Sequence, residues 1–357
     1  MSILRWGWNN YFEAVWKDAE RGTAVPARVI AQSRGAWRVA GDFGECPSEA
    51  AGKLRLATEE GADWPAVGDW VAVELRDQAS AAQIHEVLPR RSRFVRKVAG
   101  RKIAEQVIAA NVDIALLVSA LDDDFNPRRV ERYLTQCWES SAKPVIVLNK
   151  TDVCQMPQEK IREMEKVAVG VAVCGVSART GQGFDELEKH MARGETLVLL
   201  GSSGVGKSTI VNCLLGGAVQ DVQEVRESDS RGRHTTTARE LFALPGGALL
   251  MDTPGLRELQ LWDADEGISQ TFADIESLAA RCHFGNCRHH GEPGCAVQAA
   301  IDSGELEAGR LENWRKLQRE QAFLKRKVDP EASHNEKQRI KKLMRGVRQM
   351  YRDNEKS

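Results

Sequence analysis

Two short motifs stand in an unusual order. Asn149-Lys150-Thr151-Asp152 closes an apolar run, Pro144-Val145-Ile146-Val147-Leu148, and it precedes Gly201-Ser202-Ser203-Gly204-Val205-Gly206-Lys207-Ser208-Thr209. The later segment fits the phosphate-loop pattern G-x-x-x-x-G-K-[ST] in full. The earlier one has the residues of a guanine-reading motif. In ordinary GTP-binding domains the phosphate loop comes first and the base motif late. The rotated order constrains the fold to a circularly permuted P-loop domain, with the new termini expected near Ala110 and about Asp263.

The phosphate loop lies between an apolar strand, Leu197 to Leu200, and a helical pattern, Ile210 to Leu215. That context lets glycine-rich backbone turn its N–H groups toward phosphate at the positive end of a helix. Lys207 is expected to reach the β and γ phosphates, and the Ser208 hydroxyl to hold Mg²⁺. Asp252-Thr253-Pro254-Gly255 follows a second apolar strand, Ala248 to Met251. Asp252 then reads as the outer Mg²⁺ ligand and Gly255 as a donor to the γ-phosphate. Between them, Arg231-Gly232-Arg233-His234-Thr235-Thr236-Thr237 offers a threonine to the Mg²⁺ shell, either Thr235 or Thr236. Many GTPases place a water-orienting Gln where this chain has Leu256. A leucine cannot orient water, so His234 is the local candidate, accepting a hydrogen bond from the attacking water. Arg231 and Arg233 are alternatives, as is a helper supplied by a partner.

At the base end, Asp152 is expected to accept from guanine N1–H and the exocyclic amine, a pair of donors adenine lacks. Asn149 can bond the other edge, and the Lys150 stem can pack on the ring. Ser177-Ala178-Arg179, after Val171-Ala172-Val173, reads as the second base-contacting loop. The short apolar runs 114–119, 145–148, 171–173, 197–200 and 248–251 suit a mostly parallel sheet covered on both faces.

Cys282, Cys287, His289 and Cys295 follow the pattern C-x₄-C-x-H-x₅-C. Three thiolates and an imidazole suit one tetrahedral Zn²⁺, structural because protein fills all four positions. His283 and His290 leave the choice of imidazole open. A disulfide is disfavoured, because no secretory signal opens the chain and a GTP-dependent protein is expected in the cytoplasm.

Further segments flank these motifs. From 23 to 93, short β-like runs with Gly-Asp turns suggest a small barrel such as an OB-fold. Trp37 and Arg38 are either nucleic-acid contacts or structural. The basic run from Arg90 to Lys102 is either a phosphate-backbone contact or a solvated linker. Residues 1–22 carry Trp6, Trp8, Tyr11, Phe12 and Trp16 on a short amphipathic helix for the body or a partner. From Leu311 onward lysine and arginine outnumber acids, and 337–348 reads as a basic helical arm, either an RNA contact or a plain solvated helix. Net charge is −1 with 42% hydrophobic residues, so basicity is regional, and the length allows two or three domains. There is no run of apolar residues long enough to cross a membrane.

Together these motifs resemble the ribosome small-subunit-dependent GTPase A family of bacteria. Val67-Gly68-Asp69, Asn111-Val112-Asp113, Gly232 to Thr237, and Glu292-Pro293-Gly294-Cys295-Ala296-Val297 complete the likeness, which covers nearly all of the chain. The resemblance implies an extension (1–22), an OB-like barrel (23–93), a permuted GTPase domain (94–265) and a zinc-binding helical domain (266–357). It implies GTP hydrolysis stimulated by the small ribosomal subunit late in its assembly. It also implies contact with rRNA and a role in hydrolysis for His234. A cytoplasmic monomer is expected. Gly204 stands where potassium-activated GTPases carry Asn, so no potassium dependence is expected. The rival readings are a nucleotide-regulated RNA-binding protein, and a GTPase of this architecture with a non-ribosomal partner.

Overall fold

In the computed structural model, residues 2–33, 36–57, 64–98, 104–216, 239–252 and 264–328 are described. The chain divides into two compact units, Met1–Gln260 and Leu261–Ser357. Five strands begin the first unit: β1 (Val25–Ser33), β2 (Ala36–Gly41), β3 (Gly44–Ala50), β4 (Trp70–Arg76) and β5 (Ala81–Val87), with a short helix, α2 (Gly52–Ala57), between β3 and β4. They run in the order β1-β2-β3-β5-β4, and β4 returns to pair with β1. Only the β3–β5 pair is parallel. This is a closed OB-like barrel, filled by Val29, Val39, Val71, Val73 and Ile84. Closure removes the unpaired edges that an open sheet of this size would expose.

A hairpin, β6 (Arg93–Val98) with β7 (Ala104–Ala110), leads into the second sheet region. There β8 (Ile114–Ala120), α3 (Pro127–Glu139), β9 (Lys143–Asn149), α4 (Pro157–Val167), β10 (Ala172–Gly175) and α5 (Phe184–Glu188) are followed by β11 (Thr196–Leu200), α6 (Lys207–Leu214), β12 (Arg239–Ala243) and β13 (Leu249–Asp252). The spatial order is β10-β9-β8-β11-β13-β12. The first five are mutually parallel and β12 is antiparallel. Every residue of β8 is buried. Ala115 and Leu117 face one apolar layer, while Ile114, Leu116 and Val118 face the other. That two-sided burial explains why these strands read as unbroken apolar runs. The strand that carries the phosphate loop, β11, is central in space but late in the chain, as a permuted domain requires. The expected strand at 171–173 begins one residue later, at Ala172.

The barrel and this domain share one sheet. β12 pairs with β1 through Ala31↔Glu240 and Gln32↔Arg239, giving eleven continuous strands. At the same seam the N-terminal segment packs on the body. Asn9 caps α1 (Asn10–Lys17) by accepting from the Tyr11 and Phe12 N–H groups. Trp8 and Phe12 lie against Trp70, with ring centroids 4.8 Å and 5.7 Å away. Beneath them, Arg28 is buried and donates to the Trp6 carbonyl (2.7 Å), the Thr196 hydroxyl (2.9 Å) and the Asn111 carbonyl (3.3 Å). Burial pushes its guanidinium down to about 10, because desolvation disfavours the charged form.

The second unit is helical: Asp265–Thr271, Ala273–Ala279, Ala296–Asp302 and Ala308–Val328. Phe272, Ile275, Val297, Leu311 and Leu317 form its core. Arg310 ties the first two helices to the last, bonding both Asp274 oxygens (2.7 and 2.9 Å) and the Thr271 carbonyl (2.9 Å). The basic arm at 337–348 lies outside the described residues. No described helix is long and apolar enough to cross a membrane.

Candidate functional site

The loops at the carboxyl ends of β8, β9 and β11 meet where open α/β sheets bind ligands. The phosphate loop needs its glycines for separate reasons. Gly201 sits so close to β8 that a Cβ would lie 2.4 Å from the Val118 carbonyl. Gly206 has φ +93°, and a Cβ there would meet Asn149 Nδ2 at 2.3 Å. From Gly206 the chain enters α6 without a side-chain cap, so its first N–H groups are left to a ligand. Lys207 Nζ donates to the Gly201 carbonyl at 2.6 Å and also to the Ser202 carbonyl. Ser208 and Thr209 open α6, and Asp252 ends β13 opposite Glu240 of β12. A hydroxyl and a carboxylate are the oxygen donors that a hard divalent cation such as Mg²⁺ accepts.

Asn149 joins the two ends of the site. Its buried amide donates to the Val205 carbonyl (2.9 Å) and accepts from the Ala178 N–H (3.0 Å). One side chain therefore fixes the phosphate loop, the end of β9 and the second base loop together. Ser177 donates to Asp152 Oδ1 at 2.7 Å, and Arg179 lies 3.0 Å from Oδ2. The Ser177 hydroxyl, then the backbone N–H of Asp152 itself and Arg179, hold the Asp152 carboxyl below the usual range. Asp152 is thus kept ionised, as an acceptor for two donors. Thr151 donates its N–H to the Val176 carbonyl (3.2 Å). Lys150, in a left-handed conformation (φ 67°), reaches Asp122 at 2.6 Å.

In the helical unit, the ligand atoms of Cys282, Cys287, His289 and Cys295 all lie within 4.8 Å of one another. His289 Nδ1 is 3.5 Å from the sulfurs of Cys282 and Cys295. None of these cysteines is in a disulfide, and the donor set can hold a metal ion. The loop is braced by Glu292, which accepts from the Arg288 and His290 N–H groups (3.0 and 2.6 Å). Its own backbone N–H, and then those two, bring its carboxyl down to about 2. Of the three neighbouring histidines, only His289 enters the cluster. The His283 ring stacks edge-on against Phe284.

A family model described as the RsgA GTPase matches residues 87–262. The Small ribosomal subunit biogenesis GTPase RsgA of Opitutus terrae is 44% identical over 98% of this chain and 97% of its own length. The protein of the same name from Syntrophotalea carbinolica is 45% identical over 90% of each. The chain belongs to the RsgA GTPase family. It is accordingly a GTPase. The crystal structure of YjeQ from Thermotoga maritima is similar at a TM-score of 0.62 and 25% identity, over 82% of this chain and 97% of that one. The structure of YloQ, described as a circularly permuted GTPase, shares the fold at a TM-score of 0.58 and 23% identity, over 84% and 96%. An ABC transporter model also matches residues 184–354. That stretch contains the strand, phosphate loop and helix common to many nucleotidases, and it leaves out Asn149 to Asp152.

The structure brings together Asn149 to Asp152, Ser177, Ala178 and Gly201 to Thr209. His234, Thr235, Thr236 and Gly255 lie outside the described residues. Two readings that the sequence leaves open are narrowed. Trp37 is buried, bonded to the Pro65 carbonyl (2.9 Å) and stacked on Trp64. In the basic run, Arg90 is committed to the buried Asp69 (2.7 and 2.8 Å) and Arg91 to Asp113 (3.1 Å). These arginines serve the seam. Three residues at the nucleotide site went unread: Asp122, Asp124 and Arg129. An acidic cluster directly after an apolar strand was the signal for Asp122 and Asp124, the same context that singled out Asp252.

Proposed function

We propose that this GTPase acts in small ribosomal subunit biogenesis, hydrolysing GTP to GDP and phosphate, with the small subunit and its rRNA as partner and stimulus. The observation that carries the reading is 44% identity over 98% of the chain to a relative named for that task. Asp152 reads guanine, with Asn149, Lys150, Thr151, Ser177 and Ala178 shaping the base pocket. The backbone from Gly201 to Thr209 and the Lys207 ammonium hold the phosphates. On binding, the Lys207 bonds to its own loop carbonyls exchange for phosphate oxygens.

Ser208 and Asp252 would hold Mg²⁺, with Thr235 or Thr236 adding a ligand; bound there, the ion neutralises charge on the phosphates. Gly255 donates to the γ-phosphate. His234 accepts a hydrogen bond from water and orients it for in-line attack. Cys282, Cys287, His289 and Cys295 would hold one structural Zn²⁺ that fixes the loop between two helices. The place of action is the cytoplasm and the working form a monomer.

The test is GTP turnover by the purified protein with and without small ribosomal subunits, at low and high salt, beside His234→Ala. Strong salt-sensitive stimulation is expected, with His234→Ala binding GTP normally but turning over slowly. GTP binding without stimulation would redirect the search to another partner.

A further inference from the structure

In the sheet, β8 lies between β9, which leads into the base motif, and β11, which leads into the phosphate loop. The turn that leaves β8, Leu121 to Phe125, therefore emerges between the two halves of the nucleotide site. It is held by its own bonds: Asp122 Oδ1 accepts the Asp124 N–H (3.0 Å), and the Leu121 N–H donates to the Asn149 carbonyl (2.8 Å). On the base side Asp122 takes Lys150. On the phosphate side the turn acts through Arg129, at the start of α3. Arg129 Nη1 donates to Asp124 Oδ2 at 2.6 Å and to the Ser202 hydroxyl at 2.7 Å. Its place is fixed in turn by Asn126, whose side chain caps α3 by accepting the Arg129 N–H at 3.1 Å.

We propose that Arg129 is a positioning residue of the GTP site, clamping the start of the phosphate loop to the β8 turn through Ser202. This rests on the nucleotide reading above. Two physical points favour positioning over simple charge attraction. Arg129 is paired with Asp124, so the pair adds little net field at the phosphates. Ser202 follows Gly201, whose flexibility would otherwise leave the loop's first turn free to shift. One guanidinium nitrogen spans the carboxylate and the hydroxyl, so turn and loop move together. Accepting from Arg129 also leaves the Ser202 proton for donation elsewhere.

The experiment measures binding of a fluorescent GTP derivative, GDP and guanosine to the full chain carrying Ser202→Ala, Arg129→Ala, Arg129→Lys, or Ser202→Ala with Arg129→Ala. Loss of a hydrogen bond to a charged group predicts about tenfold weaker GTP binding for each alanine variant. Guanosine binding should change little. The double variant should be no weaker than Arg129→Ala alone, because the two side chains act through one contact. Arg129→Lys should recover most of the affinity. The proposal is overturned if Ser202→Ala and Arg129→Ala losses add in full, or if guanosine weakens as much as GTP. It is overturned too if Ser202→Ala binds GTP like the unaltered protein. Failure of the unaltered protein to bind GTP would instead overturn the nucleotide reading itself.

Discussion

The Cys–His cluster and the nucleotide site are built on opposite plans. The cluster draws all four side chains from one segment, 282–295, and its loop is braced within that segment by Glu292. The nucleotide site draws on the ends of β8, β9, β11 and β13 and on the Ser177–Ala178 loop, which are far apart in the chain and joined by a sheet. A local site can fail alone and take its own unit with it. A dispersed site depends on strand register, and its parts are held by cross-links such as Asn149, which bonds both Val205 and Ala178.

Three experiments press on that contrast, from the largest effect to the smallest. Cys295→Ser should abolish stoichiometric metal loading and make residues 264–328 sensitive to protease. Structural zinc sites contribute on the order of 10 kcal/mol to the folding of small metal-bound units. GTP affinity should persist; its loss in step with metal content would break the separation of the two plans. Asp152→Asn should weaken GTP about a hundredfold, the scale of lost charge-assisted hydrogen bonds, and favour xanthosine triphosphate. The melting temperature should hold, and titration calorimetry with both nucleotides reads the exchange. Arg38→Ala removes a half-exposed pair with Glu240 at the barrel seam, 2.9 Å apart. Such pairs are worth about 1 kcal/mol or less, so a small fall in the thermal midpoint is expected. A large fall would mean that the seam depends on the pair more than its exposure allows.

The cluster was legible because its chemistry and spacing sit in one line of sequence. The parallel strands were legible because burial on both faces leaves an unbroken apolar signature, as in β8. β3 was not: Gly44 to Ala50 buries only Cys46, Ser48 and Ala50 on alternate positions, small side chains interrupted by Pro47. The β6–β7 hairpin was hidden under its arginines and lysines, which read as a linker. Arg90 looked like a nucleic-acid contact because no local pattern announces Asp69, its partner across the barrel. Arg129 was unreadable for the same reason: its meaning lies in Ser202, brought to it only by the pairing of β8 with β11.

The pairing of β12 with β1 has a mechanical consequence. Glu240 stands opposite Ala31 of the barrel on one side and opposite Asp252 on the other. The two ladders share that residue, so a torque applied to the barrel reaches the carboxylate end of β13 across the width of a single strand. Whatever grips the barrel holds a handle whose shaft ends beside the nucleotide.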